Sequence, residues 1–197
     1  MNNNNTRTKI IEAMYHLVAE KGYEKASINN ICKEVGITKP SVYYYFDSKE
    51  DIFLAVLDGL YPLIDYTKEA GFEAIDDIQS YREKLIGLGF SLIESYRDDT
   101  ERRMFLAELS IQSARIASVW NHKARLDQAN MEAWEAILKH GIKIGALDKQ
   151  LNAELCAQTL FVISAGISDS IVNRDAVDAK SIWKCTINHL FSQCNQL

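Results

Sequence analysis

Apolar side chains recur at three- and four-residue intervals along almost the whole chain, and no stretch of any length alternates with a period of two. Ile10, Ile11, Met14, Leu17 and Val18 make one stripe over residues 6–20. Ile28, Ile31, Cys32 and Val35 mark one face of a short helix, and Val42 and Phe46, four apart, mark another. A fourth helix begins near Ser48 and carries Ile52, Phe53, Val56, Leu57 and Leu60 to about Pro62. After a break at Gly71 the pattern predicts a helix over 75–96. A further one is capped by Asp98-Asp99-Thr100 and runs through Phe105, Leu106, Leu109 and Ile111. Beyond it the spacing predicts helices over 118–139, 152–172 and 177–191, with a turn near Gly145. The expected fold is all-α, with about nine helices.

The segment from Ser27 to Lys49 has the densest punctuation. Ser27 is a good N-cap, because its hydroxyl can accept an orphan N–H of the first helical turn. Gly36 can enter the left-handed region that ends a helix without strain. Ile37 is placed to dip into the core of the turn. Thr38 stands where the next cap belongs, and Lys39 and Pro40 occupy the first turn, where a missing N–H costs nothing. Val42 and Phe46 then face inward, which leaves Ser41, Tyr43 and Tyr44 outward or sideways and Tyr45 packed inside. Three successive tyrosines point in three directions about a helix, so one buried stripe cannot hold them all. Asp47 or Ser48 closes the element and caps the next, which begins at Lys49. Two short helices about a glycine bend, the second dressed with hydroxyls and a lysine, make a helix-turn-helix suited to a duplex groove.

The run Gly36-Ile37-Thr38-Lys39-Pro40-Ser41-Val42-Tyr43-Tyr44-Tyr45-Phe46, followed by Asp47-Ser48-Lys49-Glu50, resembles the DNA-binding signature of TetR-type transcriptional regulators. Upstream, Arg7 to Tyr23 is similar to that family's first helix and its closing Lys21-Gly22-Tyr23 segment. The match spans roughly residues 7–55, about a quarter of the chain. Cys32 departs from the smaller alanine common in the family and suggests slightly different packing between the first two helices. The resemblance implies a three-helix DNA-binding domain over 1–47 and a helical effector-binding and dimerisation domain over 48–197. It implies a ligand-responsive regulator, most commonly a repressor, that binds a palindromic operator as a homodimer and is released by a small, largely apolar effector. Carried over residue by residue, it puts Thr38, Lys39, Ser41, Tyr43 and Tyr44 on or beside the major-groove face. Lys39 and Tyr44 are the candidates for base edges, and Thr38, Tyr43 and Lys49 for phosphates; Ser27 and Asn29 hold the backbone from the preceding helix.

Two late helices carry more apolar surface than one stripe. Leu155, Leu160, Phe161, Ile163, Ile167 and Ile171 cover more than one face of the first, beside the small Ser164, Ala165, Gly166 and Ser168. Ile182, Trp183, Ile187, Leu190 and Phe191 repeat the pattern in the second. Such surplus needs a partner, so Phe161, Ser164, Ile167, Ile171, Trp183, Ile187 and Leu190 are expected at a two-fold interface, with packing inside one subunit as the alternative. On the middle helices Phe90, Tyr96, Met104, Phe105, Trp120, Met131, Trp134 and Phe161 are candidates for an apolar effector cavity; for any one of them ordinary core packing is the stronger reading.

Charge and chemistry narrow the picture further. The net charge of −5 is unevenly spread: residues 1–50 hold seven Lys/Arg against six Asp/Glu, and residues 51–197 hold 15 against 21. An acidic body repels DNA and confines contact to one end. No apolar run approaches membrane-spanning length, and the opening MNNNNTRTK lacks the apolar core of a signal peptide. A cytoplasmic protein with free thiols is expected, since Cys32, Cys156, Cys185 and Cys194 have no metal-type spacing. His16, His122, His140 and His189 fall on different helices. With no glycine-rich phosphate loop, H-E-x-x-H or C-x-x-C, neither an enzyme nor a metal or organic cofactor is expected. Arg102 and Arg103 read as surface charge. A thiol switch is the minority alternative, in which Cys185 or Cys194 reaches a partner chain or Cys156.

Overall fold

The computed structural model describes residues 3–60, 71–97 and 99–192, and these form nine helices, one 3-10 turn and no strand. In chain order they are α1 (Asn3–Lys21), the 3-10 turn (Tyr23–Lys25), α2 (Ile28–Val35), α3 (Lys39–Tyr43), α4 (Lys49–Leu60), α5 (Ile78–Arg97), α6 (Thr100–Arg115), α7 (Ala117–Lys143), α8 (Ala153–Asn173) and α9 (Ala179–Ser192).

Helix starts are set by side-chain caps that satisfy orphan N–H groups. Ser48 accepts from Asp51 N at 3.0 Å, Asp99 from Arg102 N at 2.8 Å and Asn152 from Leu155 N at 3.0 Å. Two helices begin later than apolar spacing suggested, for the same reason. Asp77 accepts from Ser80 N at 2.8 Å and Asp178 from Ser181 N at 3.1 Å, which fixes the first turns of α5 and α9. The Ser80 hydroxyl and N–H also hold the Asp77 carboxyl below its ordinary range. Asp98, expected in the α6 cap, and Pro62, expected at the end of α4, lie outside the described residues.

The helices gather into two compact units. The first comprises Met1–Pro62 with Asp99–Leu126, and the second Leu63–Asp98 with Asp127–Leu197. This differs from a linear division at residue 47, because α4 and α6 pack on α1, and the first turns of α7 meet α4 through Ser118 and His122. Aromatic packing shows why: the Phe53 ring of α4 lies 4.9 Å from Tyr23 and 5.1 Å from Phe105 of α6, which in turn lies 5.3 Å from Tyr15 of α1. Ile10, Met14, Ile31, Val42, Ile52, Leu57 and Phe105 are fully buried in this unit.

The second unit closes around two large side chains seated on glycines. Trp183 of α9 donates from Nε1 to the Leu85 carbonyl at 3.2 Å. It lies so close to Gly89 of α5 that a Cβ there would sit 2.0 Å from Trp183 Nε1. Tyr81 of α5 donates its hydroxyl to the Ile137 carbonyl at 2.9 Å, and a Cβ at Gly141 of α7 would lie 2.5 Å from its ring. Burial pushes the Tyr81 phenol well above its ordinary range, so it remains a donor at any physiological pH. Gly89→Ala must displace the indole from its site. We expect a loss of about 3 kcal/mol or more in urea denaturation, against near-wild-type stability for the same change at the open Gly87.

Candidate nucleic-acid interface

The helix-turn-helix is assembled by local rules. Ser27 caps α2 by accepting from Asn30 N at 3.2 Å. Gly36 ends α2 in the left-handed region, at φ 73°, a conformation that side chains with a Cβ rarely adopt. Thr38 stands at the N-cap position of α3, yet its hydroxyl pairs with the Ser41 hydroxyl at 2.9 Å rather than with a backbone N–H. Val42 and Phe46 point inward and are buried, so the opposite surface presents Lys39, Tyr43 and Tyr44 to solvent. Tyr44 is 72% exposed, and its ring stands edge-on to Tyr45 with centroids 5.0 Å apart. Tyr45 is half-buried, not inside as its register suggested.

Of the eight residues proposed for DNA, Asn29, Thr38, Lys39, Ser41, Tyr43 and Tyr44 leave their side chains wholly or partly open to solvent. Ser27 is engaged in its cap. Lys49, assigned to phosphate, instead donates to the Tyr23 carbonyl at 3.0 Å and lies 3.8 Å over the Tyr23 ring. It thereby ties the start of α4 to the turn that follows α1. Burial, then the charges of Glu50 and Glu24, raise the Tyr23 phenol to about 12. One basic residue escaped the sequence reading: Arg7 of α1 is exposed, with its guanidinium 5.0 Å over the Phe46 ring. Only tertiary packing brings those two positions together.

Behind the reading surface, polar contacts tie α1 and α4 to α6 and α7 within the first unit. His16 pairs with Glu101, and Ser118 donates to Glu50. His122 meets Asp58 at 2.7 Å. Arg102, which reads as surface charge in the sequence, donates to the Leu60 carbonyl at the end of α4, at 3.4 Å.

The proposed effector residues do not converge on one unit. Phe105 fills the core of the first unit between Phe53 and Tyr15, while Trp120 and Met104, in the same unit, are exposed. Phe90, Tyr96, Met131 and Phe161 are half-buried in the second unit, and Trp134 is buried with its ring 5.6 Å from Trp183.

The proposed interface residues need a similar correction. Ile167, Trp183 and Ile187 are buried within the single chain, and Phe161, Ser164, Ile171 and Leu190 are half-buried. The open face of α8 carries Leu155, Val162, Ala165 and Gly166, and that of α9 carries Ile182, Cys185 and His189. Helix α8 is, contrary to the expectation from the sequence, long and apolar enough to cross a membrane, with a mean hydropathy of 1.5 and 17% of its apolar stretch buried. Cys156 is half-buried, the exposed Cys185 lies 3.6 Å from His189 Nδ1, and Cys194 falls outside the described residues. Among the described residues no three metal-ligating side chains come together.

An all-helical chain that turns a lysine, hydroxyls and two tyrosines outward from the second helix of such a motif is a helix-turn-helix DNA-binding protein. Its residues 10–56 match the family model described as bacterial regulatory proteins, tetR family. Among its relatives, an uncharacterized HTH-type transcriptional regulator in the lacX 3′ region of Lactococcus lactis is 47% identical over 55 residues, 28% of each chain. The fatty acid metabolism regulator protein of Bacillus subtilis is 24% identical over 189 residues, 93% of each. The crystal structure of the transcriptional regulator FadR from Bacillus subtilis in complex with stearoyl-CoA superposes with a TM-score of 0.73 at 20% identity, covering 94% of this chain and 97% of that one. These relatives are regulators rather than enzymes.

Because Lys39 and Tyr44 are exposed, substitution there should separate binding from folding. Lys39→Ala and Tyr44→Ala are each expected to weaken binding to a cognate duplex by about 1–3 kcal/mol in a mobility-shift titration. The melting transition should move by no more than about 0.5 kcal/mol.

Proposed function

We propose that this regulator is a homodimeric repressor that reads a palindromic operator and is released by a small, largely apolar effector. The observation that carries this reading is a pairing of two surfaces: an outward α3 that can enter a groove, and an α8 whose apolar side nothing among the described residues covers. Val162 is 65% exposed, and Leu155 shares its face, with Ala165 and Gly166 small enough for close approach of a second helix. A second copy of the chain is the occupant that fits. Two-fold pairing through α8 and the outer face of α9, at Ile182, doubles the reading heads for half-sites about 34–36 Å apart.

Asn29, Thr38, Ser41 and Tyr43 would position the head on the phosphates. Lys39 and Tyr44 would read base edges, and residues 1–47 would hold all of these contacts. For the effector, the supporting residues are those in the second unit: Phe90, Tyr96, Met131 and Phe161. The stearoyl-CoA bound by the Bacillus subtilis regulator supports an apolar chemistry. An effector releases the operator only if it favours a conformation whose heads no longer match the half-sites. A cytoplasmic location follows from contact with the genome.

Selection of bound duplexes from a random library should return an inverted repeat, and light scattering should give a dimer at micromolar concentration. Val162→Glu should yield a folded monomer with operator affinity reduced roughly a hundredfold or more, since it buries a charge at the pairing face. A non-symmetric consensus, or a Val162→Glu dimer, would overturn the two-fold reading; wild-type protein that sediments only with lipid vesicles would assign α8 to a membrane instead.

A further inference from the structure

A duplex is a dense line of phosphates, and neutral donors alone release none of its counterions. The groups assigned to phosphate above, Asn29, Thr38, Ser41 and Tyr43, are all uncharged. Lys49, the cation next to the motif, is taken up by the Tyr23 carbonyl and ring, and Lys21 lies 3.2 Å from Glu20. Arg7 is placed differently. It extends the buried stripe of Ile10, Met14 and Leu17 toward the start of α1, past the edge of the core, where its exposed guanidinium lies 5.0 Å over the Phe46 ring. Burial of Phe46 helps to orient α3, so Arg7 is referenced to a side chain that aims the reading surface. Among the described residues no carboxylate pairs with it, the exposed Asp47 beside Phe46 included.

We infer that Arg7 is a phosphate-binding residue, held by Phe46 so that it grips the DNA backbone beside the groove that α3 enters. This rests on the DNA-reading function proposed above. The stack occupies a flat face of the guanidinium and leaves the N–H donors around its edge open. A pair of them matches two oxygens of one phosphate. An arginine already stacked in place is pre-organised, so it loses less freedom per bond formed than a lysine on a flexible stem. Its position suits the task. The reading helix of such a motif meets base edges with its N-terminal residues. Phe46 follows the opposite end of α3, beyond Tyr43 and Tyr44, so the cation stacked on it stands off the bases and beside the phosphate strand that borders the groove. Arg7 thus supplies salt-dependent affinity and register without choosing the sequence.

The test compares wild type, Arg7→Gln, Arg7→Lys and Lys21→Gln on the selected operator across a salt series, with melting curves as a check on folding. Lys21→Gln removes the same charge from the other end of α1, about 21 Å away by helical rise. For Arg7→Gln the slope of log affinity against log salt should become shallower by about 0.9 for each chain on the duplex. Its affinity at about 0.15 M salt should fall on the order of tenfold, by one factor on the operator and on copies carrying single base changes. Arg7→Lys keeps the charge, so it should restore the slope but only part of the affinity, because an ammonium cannot offer the paired donors. Lys21→Gln should leave both at the wild-type values. An unchanged slope in Arg7→Gln, an equal change in Lys21→Gln, or a loss confined to one base position would overturn the inference while leaving the DNA-reading function standing. A wild type that binds no duplex at any salt concentration would remove both.

Discussion

A helix of five residues cannot hold itself together. Nucleation costs more than one turn of hydrogen bonds returns, and α3 has little else of its own. Its existence depends on Val42 and Phe46 being driven into the core of the first unit. The hydrophobic effect on those two side chains fixes the rotation of α3 about its axis, and that rotation alone decides what faces a duplex. Pro40 presets one backbone angle, and the carbonyl of Val42 accepts from both Tyr45 and Phe46, so the chain leaves the helix in a defined direction. Lys39, Tyr43 and Tyr44 are outward because their neighbours are inward.

That core does not stop at the three helices of the motif. Phe53 and Phe105 bring α4 and α6 into the same aromatic cluster as Tyr15 and Tyr23, so the reading head and its support form one packed body. Polar ties reinforce the packing at the helix ends, where backbone carbonyls would otherwise lack partners. Arg102 on the Leu60 carbonyl is of this kind, and Lys49 adds a second donor to the Tyr23 carbonyl, which Ala26 N also reaches. A lysine that looks like a phosphate ligand in the sequence thus serves α4 itself. The carboxylates Glu50, Asp58 and Glu101 are likewise engaged with Ser118, His122 and His16, so part of the protein's acidic excess binds its own helices together.

The second unit is specified by shape. Trp183 and Tyr81 are seated where α5 and α7 have glycine, and each donates to a main-chain carbonyl, so large rings are buried without an orphaned polar atom. Seating Trp183 inward turns the opposite side of α9 outward. Burial of Ala157, Leu160 and Ile167 similarly leaves the Leu155 and Val162 side of α8 open. An apolar surplus remains on α8 that the described residues leave uncovered.

Local patterns fixed much of this in advance. Helical period, Ser27, Gly36 and Pro40 determine the motif, because caps and turns depend on residues within a few positions of one another. The outward tyrosines follow from the same short-range geometry, and helix number and order follow from apolar spacing. What the spacing could not supply was the identity of each apolar residue's neighbour. Phe105 reads equally well as a cavity wall or a core ring, and packing against Phe53, distant in sequence, makes it core. Trp183 and Ile187 read as interface until Gly89 and its surroundings enclose them. The partners of Lys49, Arg102 and His122 were equally hidden, since a charged side chain on a helix looks solvated until another helix arrives beside it. Period states which face is buried; only the folded chain states against what.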